Sequence, residues 1–243
     1  MVSFVHSSDW QIGMKGGGLG KASSLIREKR IESINNVFKT AEEKNVDFIL
    51  LCGDIFEHNM ISQDIVLKVV KIFNEHTEIP VYLLPGNHDI LGPDCIYNRD
   101  IFQNISHLNI ITSKDPILLD NATIHPCPIE SIHTSKNLVD HIPDVKKEDG
   151  VHIGIAHGSL IGKIPVGESG EVDFAIDPKC IDEKGLDYLA LGHWHGYNTF
   201  EDAKNITKIV YSGTHEQTKY DERDAGNCVF VKISEKGAQP TIE

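Results

Sequence analysis

Five short apolar runs in this 243-residue chain each give way, within a few residues, to an acid, an amide or a histidine. The runs are residues 2–6, 46–52, 81–84, 151–156 and 188–191, and each reads as a buried strand. Residues 24–44, between the first two, carry Leu25, Ile31, Ile34, Val37, Phe38 and Ala41 at helical spacing, with Ser23 or Ser24 available as the cap. Residues 62–75 repeat that pattern through Ile65, Val66, Val69, Val70 and Phe73. The start of the chain is therefore β-α-β-α-β, which favours parallel strands joined by right-handed crossovers. Beyond Gly92 the pattern changes. Residues 109–112, 117–119, 122–125, 208–212 and 227–233 read as strands of a second, more mixed sheet, with short helices over 131–141 and 178–184. No repeat, low-complexity tract or linker interrupts the chain, so one α/β domain over residues 1–243 is expected, with two sheets and helices outside them.

The polar residues at the strand ends follow a fixed order. Asp9 follows the first run in His-Ser-Ser-Asp-Trp-Gln, and Asp54 the second in Leu-Cys-Gly-Asp-Ile-Phe. Asn87, His88 and Asp89 follow the third in Pro-Gly-Asn-His-Asp. His157 follows the fourth in Ile-Ala-His-Gly-Ser, and His193 and His195 the fifth in Leu-Gly-His-Trp-His-Gly. In an α/β sheet the carboxyl ends of the strands share one rim, where ligands bind. Oxygen and imidazole donors on that rim suit two divalent ions such as manganese, iron, zinc or magnesium. Each element alone has a simpler explanation. Gly-Asp after a strand is usually a turn or cap, Gly-Asn-His-Asp is a tight turn, and two alternating histidines are usually surface polarity. All five occur together here, in one order, and no single one of these explanations accounts for that.

That order resembles the calcineurin-like metallophosphoesterases, whose pattern is Asp-x-His, Gly-Asp, Gly-Asn-His-Asp/Glu, His and Gly-His-x-His, and the match spans residues 3 to about 215. The flanking sequence His-Ser-Ser-Asp-Trp-Gln-Ile-Gly, Leu-Cys-Gly-Asp-Ile-Phe-Glu, Leu-Pro-Gly-Asn-His-Asp and Tyr-Ser-Gly-Thr-His-Glu is similar to the SbcD-type DNA repair nucleases. The resemblance implies a four-layer α/β/β/α sandwich, two mixed sheets flanked by helices. It also implies two divalent metal ions, with manganese expected first. Asp54 would bridge them. Asp9, Gln11 and His195 would complete one site; Asn87, His157 and His193 would complete the other. A hydroxide held between the ions would attack phosphorus, His88 would help protonate the leaving oxygen, and Asp89 would orient His88. DNA as substrate, an SbcC-like ATPase partner and a homodimer belong to the same implication. SbcD-type chains continue into capping and ATPase-binding regions, which this sequence is expected to lack.

Gln11 departs from the pattern, which has histidine there. It is either a weak oxygen ligand or a hydrogen-bonding neighbour of a metal-bound water, and both readings stay open. Glu57 stands where some relatives place histidine, with His58 adjacent. The Gly16–Lys21 stretch fails as a phosphate loop because Lys15 and Ala22 occupy positions that need Gly and Ser or Thr; a mobile rim near Asp9 fits it better.

Composition sets the remaining limits. The five scattered cysteines form no CxxC pair and fit buried thiols in a reducing compartment. No signal peptide and no apolar stretch approaching the ~20 residues of a membrane helix is evident, so a cytoplasmic protein without membrane association is expected. The net charge of -13 opposes non-specific DNA binding. The basic groups Lys21, Arg27, Lys29 and Arg30, and Lys146 and Lys147, read as a solvated helix face and a loop. The leading expectation is a manganese-dependent DNA exonuclease or endonuclease of the SbcD type. The alternatives are a phosphodiesterase or phosphatase acting on a small or protein-bound phosphate, and a scaffold subunit with a crippled site.

Overall fold

The computed structural model describes residues 1–15, 22–131, 134, 136–163, 173–219 and 222–243, which leaves the Gly16–Lys21 stretch outside the described residues. Along the chain run β1 (Val2–Ser7), α1 (Ala22–Glu32), α2 (Ile34–Lys44), β2 (Phe48–Cys52), α3 (Gln63–Glu75), β3 (Val81–Leu84), α4 (Asp100–Gln103) and β4 (Leu108–Ile110). There follow β5 (Ile117–Leu118), β6 (Ala122–Cys127), β7 (Val151–His157), β8 (Ser159–Leu160), β9 (Ala175–Ile176), α5 (Cys180–Lys184) and β10 (Tyr188–Gly192). The chain closes with β11 (Asn198–Glu201), β12 (Thr207–Tyr211), β13 (Val229–Ile233) and β14 (Thr241–Ile242).

Two six-stranded sheets result, ordered β14-β13-β1-β2-β3-β4 and β11-β12-β10-β7-β6-β5. Strands β1 to β4 are parallel in the first, and β12, β10, β7 and β6 in the second, with antiparallel strands completing each. Strand period divides the apolar runs between two faces. In β2, Phe48, Leu50 and Cys52 meet the second sheet, while Ile49 and Leu51 meet the helices. In the opposing sheet, Ile153, Ile155, Tyr188 and Val210 face inward. Phe4 stacks on Phe48 at 5.1 Å between centroids and takes the edge of Tyr188 at 5.3 Å. Val37, Phe38, Val69 and Phe73 from α2 and α3 cover the first sheet; Val139, Ile142 and Ile181 cover the second. The layers are α/β/β/α, as expected.

Four expectations need correction. The helix read over 24–44 is two helices broken at Ser33, whose hydroxyl donates to the Arg30 carbonyl while Asn36 N–H bonds back only three residues, to Ser33; such back-bonding bends helices. The strands expected at 109–112 and 227–233 join the first sheet instead, because β4 extends it beside β3 and β13 pairs antiparallel with β1. Of the helix expected over 131–141, residues 132, 133 and 135 lie outside the described residues, and 137–142 make turns closed by Asp140 and Ile142 N–H bonds instead of a helix. Arg30, read as part of a solvated face, is 1% exposed. All five cysteines are free thiols. No helix among the described residues is long and apolar enough to cross a membrane.

Burial pushes several histidines down, among them His6 to about 3, His125 to about 4 beside His152, and His215 to about 3 beside Arg30. Unfolded, each takes a proton near pH ~6.5. Folded values below unfolded ones mean that the unfolded chain binds more protons as pH falls below about 6.5. Stability should therefore drop between roughly pH 6.5 and 4, each group contributing up to about 1.4 kcal/mol per pH unit. Urea unfolding without divalent cations should show the midpoint falling across that window, and less steeply in His125→Gln. A midpoint flat from pH 7 to 5 would contradict the assignment.

Candidate metal centre

The loops after β1 and β2 continue the parallel ladder beyond the strands. Asp9 N–H donates to the Gly53 carbonyl at 3.0 Å, Gln11 N–H to Asp54 at 2.9 Å and Ile12 N–H to Ile55 at 2.9 Å. To run this way the backbone turns left-handed at Asp9 (φ 53°), Gln11 (φ 49°) and Asp54 (φ 54°), and again at His193 (φ 100°). Non-glycine residues there carry strain that the surroundings must hold. Two glycines make room. A Cβ on Gly86 would collide with Asp54 Oδ1, and one on Gly192 would collide with the Cys52 carbonyl, where the two sheets meet.

The rim is thus shared between the sheets. The first supplies Asp9, Gln11, Asp54, Asn87, His88 and Asp89; the second supplies His157, His193 and His195. Asn87 Oδ1 lies 3.0 Å from His157 Nε2 and 3.1 Å from His193 Nδ1, and Asp54 Oδ2 lies 3.3 Å from His157 Nε2. Donors about 2.1 Å from a cation and at right angles sit about 3 Å apart, so this set fits one divalent ion. Ligand atoms of Asp9, Asp54 and His157 also lie within 4.8 Å of one another, and His195 Nε2 is 3.9 Å from Asp9 Oδ1. His157 Nδ1–H donates to the Cys52 carbonyl at 2.8 Å, which leaves Nε2 aimed at the donors.

Electrostatics agrees with the geometry. Asp9 and Asp54 are buried with no lysine or arginine paired to them among the described residues. Burial raises the Asp9 carboxyl, with Asp54 adding to the rise. Burial also opposes ionisation of Asp54, but His157 and His88 outweigh it and bring the group to about 2. His157 shows the converse: burial lowers it, Asp54 and Asp9 raise it further, and it settles at about 9. Without a cation the His157 proton supplies the counter-charge, and metal binding would release it. His193 is held down at about 3 by burial and by His157, so its lone pair stays available.

The remaining predicted residues divide. Gln11 donates from Nε2 to Asp54 Oδ2 at 3.1 Å, steadying that carboxylate through its amide nitrogen. His88 is 42% exposed at the mouth, with Nδ1–H on the Glu57 carbonyl at 2.9 Å and Nε2 3.9 Å from Asp54 Oδ2. Asp89, expected to orient His88, does something else. It is buried and accepts N–H bonds from Gly86 (2.7 Å), Ile55 (2.9 Å), Phe56 (3.1 Å) and Asp54 (3.2 Å), plus the Tyr97 hydroxyl at 2.5 Å. The orienting group for His88 is the Glu57 carbonyl, and His58 only accepts the Met60 N–H.

Sequence reasoning missed several supports. Glu222 Oε1 lies 2.8 Å from His195 Nδ1, with Thr218 Oγ1 at 3.1 Å. Burial works against this carboxylate, but Thr218 and His195 hold it below its usual range. Arg30 donates to the carbonyls of Trp10 and Gln217 and to Thr214 Oγ1, tying α1 to the loop behind His195. Ser8 donates to Asp9 Oδ2 at 2.5 Å. Of these, only the Ser-Gly-Thr-His-Glu stretch (212–216) stands out as sequence; Glu222 lies 27 residues from its histidine with no motif around it.

A family model described as calcineurin-like phosphoesterase matches residues 2–197. The chain is 23% identical over 257 residues to the DNA double-strand break repair protein Mre11 of Archaeoglobus fulgidus, covering 94% of this chain and 53% of that one. It is 26% identical over 207 residues to the uncharacterized metallophosphoesterase YhaO of Bacillus subtilis, covering 80% and 48%. The chain thus spans about half the length of these curated relatives. In fold it is similar to the crystal structure of TT1561 of Thermus thermophilus, with a TM-score of 0.54 at 12% identity over 88% of this chain and 89% of that one.

Removing the Glu222 carboxylate should disorder His195. Calorimetric titration with manganese is expected to show Glu222→Ala weakening the tightest cation about 10–100-fold or abolishing one binding event; an unchanged isotherm would rule the support out.

Proposed function

The chain belongs to the calcineurin-like phosphoesterase family, and from that membership we propose that it is a two-metal phosphodiesterase whose substrate is DNA. The family assignment makes it a hydrolase that uses divalent metals. The observation that supports a metal-dependent phosphodiesterase is the convergence of Asp54, Asn87, His157 and His193 at ligand spacing, with His88 exposed beside them. Those four residues would hold one cation; Asp9, Asp54 and His195 would hold the other, with manganese suited to the mixed oxygen and nitrogen donors. Divalent cations at such a site supply charge stabilisation of the phosphoryl oxygens.

The protein's own residues do the rest. The Glu57 carbonyl fixes the proton of His88 on Nδ1, so Nε2 is the atom that exchanges a proton with the leaving oxygen. Asp89 holds the Asp54 turn, and Gln11 holds the Asp54 carboxylate. DNA as substrate is supported by the similarity to the Mre11 protein, and the ATPase partner and homodimer of SbcD-type nucleases belong to the same proposal. The net charge of -13 favours the second reading, a small phosphodiester substrate.

With manganese, the protein should cleave DNA and a small aryl phosphodiester but spare a phosphomonoester, and EDTA should stop both reactions. His88→Ala should cost about 10²–10⁴-fold in kcat with manganese stoichiometry unchanged. Turnover of the aryl diester without cleavage of single- or double-stranded DNA selects the second reading; metal binding without any turnover selects a scaffold. Gln11→His should tighten the Asp9–His195 half, seen as a rise in manganese bound per chain at limiting metal; an unchanged stoichiometry and rate would show that residue 11 never faces a cation.

A further inference from the structure

Trp194 stands between His193 and His195 just past the end of β10, and all three side chains border one cavity beside the metal centre. Trp194 (36% exposed) and Tyr197 (38% exposed) are the exposed aromatic side chains among the described residues, and neither belongs to an apolar cluster of the fold. They line one cavity of about 580 Å³ together with His193, His195, Lys219 and Arg223. That volume lies within the range of small-ligand sites. Gly196 lets the indole and the 222–224 loop close in: a Cβ there would lie 3.3 Å from Trp194 Nε1 and 2.8 Å from the Arg223 carbonyl. Tyr197 N–H donates to the Asp224 carbonyl at 2.7 Å.

The charge of the cavity differs from that of the whole chain. Lys219 and Arg223 pair with no carboxylate among the described residues, and the Glu222 carboxylate is occupied by His195 and Thr218. On the lining they are matched in number by Asp224 and that Glu222, so the cavity lacks the acidic excess of the whole chain. Two aromatic faces, two cations and a phosphoester-cleaving centre in one cleft match one ligand chemistry, a nucleobase joined to a phosphate. Aromatic rings stack on unpaired bases with little regard to sequence, and arginine adds to the same contact.

We propose that Trp194 and Tyr197, flanked by Lys219 and Arg223, form a stacking subsite for one unpaired nucleobase beside the scissile phosphate. The proposal rests on the phosphodiesterase reading of the metal centre. It specifies a nucleotide or an unpaired strand end as the bound form, since a base within a duplex presents no free face.

Two measurements test it. Trp10 is fully buried and is the other tryptophan of two, so fluorescence change on ligand binding reports on Trp194. Thymidine 5′-monophosphate should quench emission saturably, with and without magnesium, while ribose 5-phosphate should not; Tyr197→Ala should weaken the thymidylate response on the order of tenfold or more. Second, on an oligonucleotide with manganese, a terminal base should be favoured over an abasic terminus on the order of tenfold or more in kcat/KM. Trp194→Ala should bring that ratio near one and Trp194→Phe should keep most of it. Equal quenching by both phosphates, or a ratio unaffected by Trp194→Ala, overturns the subsite. Quenching that follows the base with no DNA cleaved keeps the subsite and removes the nuclease reading.

Discussion

Everything at the site depends on a left-handed turn at Asp54, a residue with a Cβ that would ordinarily avoid it. One buried carboxylate, Asp89, holds the turn by collecting backbone N–H groups from Asp54, Ile55, Phe56 and Gly86 and the Tyr97 hydroxyl. Each donor would be an unsatisfied buried group without it. Through that one carboxylate the turns after β2 and β3 keep a fixed spacing, and through the ladder bonds of Asp9, Gln11 and Ile12 the turn after β1 follows them. A side chain that makes no contact with the histidines thereby sets where Asp54 and Asn87 present their oxygens.

The cost of this arrangement is buried negative charge. Two carboxylates sit at the joint of the sheets, answered only by imidazoles, and the opposite shifts of Asp54 and His157 register that imbalance. Positive charge lies further out: Arg30 is spent on carbonyls and a hydroxyl, holding the loop that carries Thr214 against α1. The site is organised to receive cations rather than to be neutralised by its own side chains.

Most of the site was legible because its residues follow strands directly. Asp9, Asp54, Asn87, His157, His193 and His195 all sit where an apolar run stops, and strand ends must converge if the runs pack as sheets. What could not be read was which sheet each strand joins. Residues 109–112 and 227–233 carry the same alternation as their neighbours, and only the pairing of β4 with β3 and of β13 with β1 decides their place. Equally hidden were roles set by three-dimensional contact. Asp89 follows His88 in sequence yet turns inward to four backbone amides, while Glu57 serves His88 through its carbonyl, an atom every residue has. Glu222 and Arg30 look like ordinary surface charges until the fold brings them to His195 and Thr214.

The division of donors between the sheets has a mechanical meaning. In the candidate metal centre the oxygens of Asp9, Asp54 and Asn87 come from the first sheet, and the imidazoles of His157, His193 and His195 from the second. A cation held there would be a rivet through the sandwich, added to the apolar packing and the few bonds, such as His157 Nδ1–H to the Cys52 carbonyl, that already join the two sheets. Its binding energy enters the folding equilibrium by mass action, so the concentration of free metal sets how tightly the two halves of the molecule are clamped.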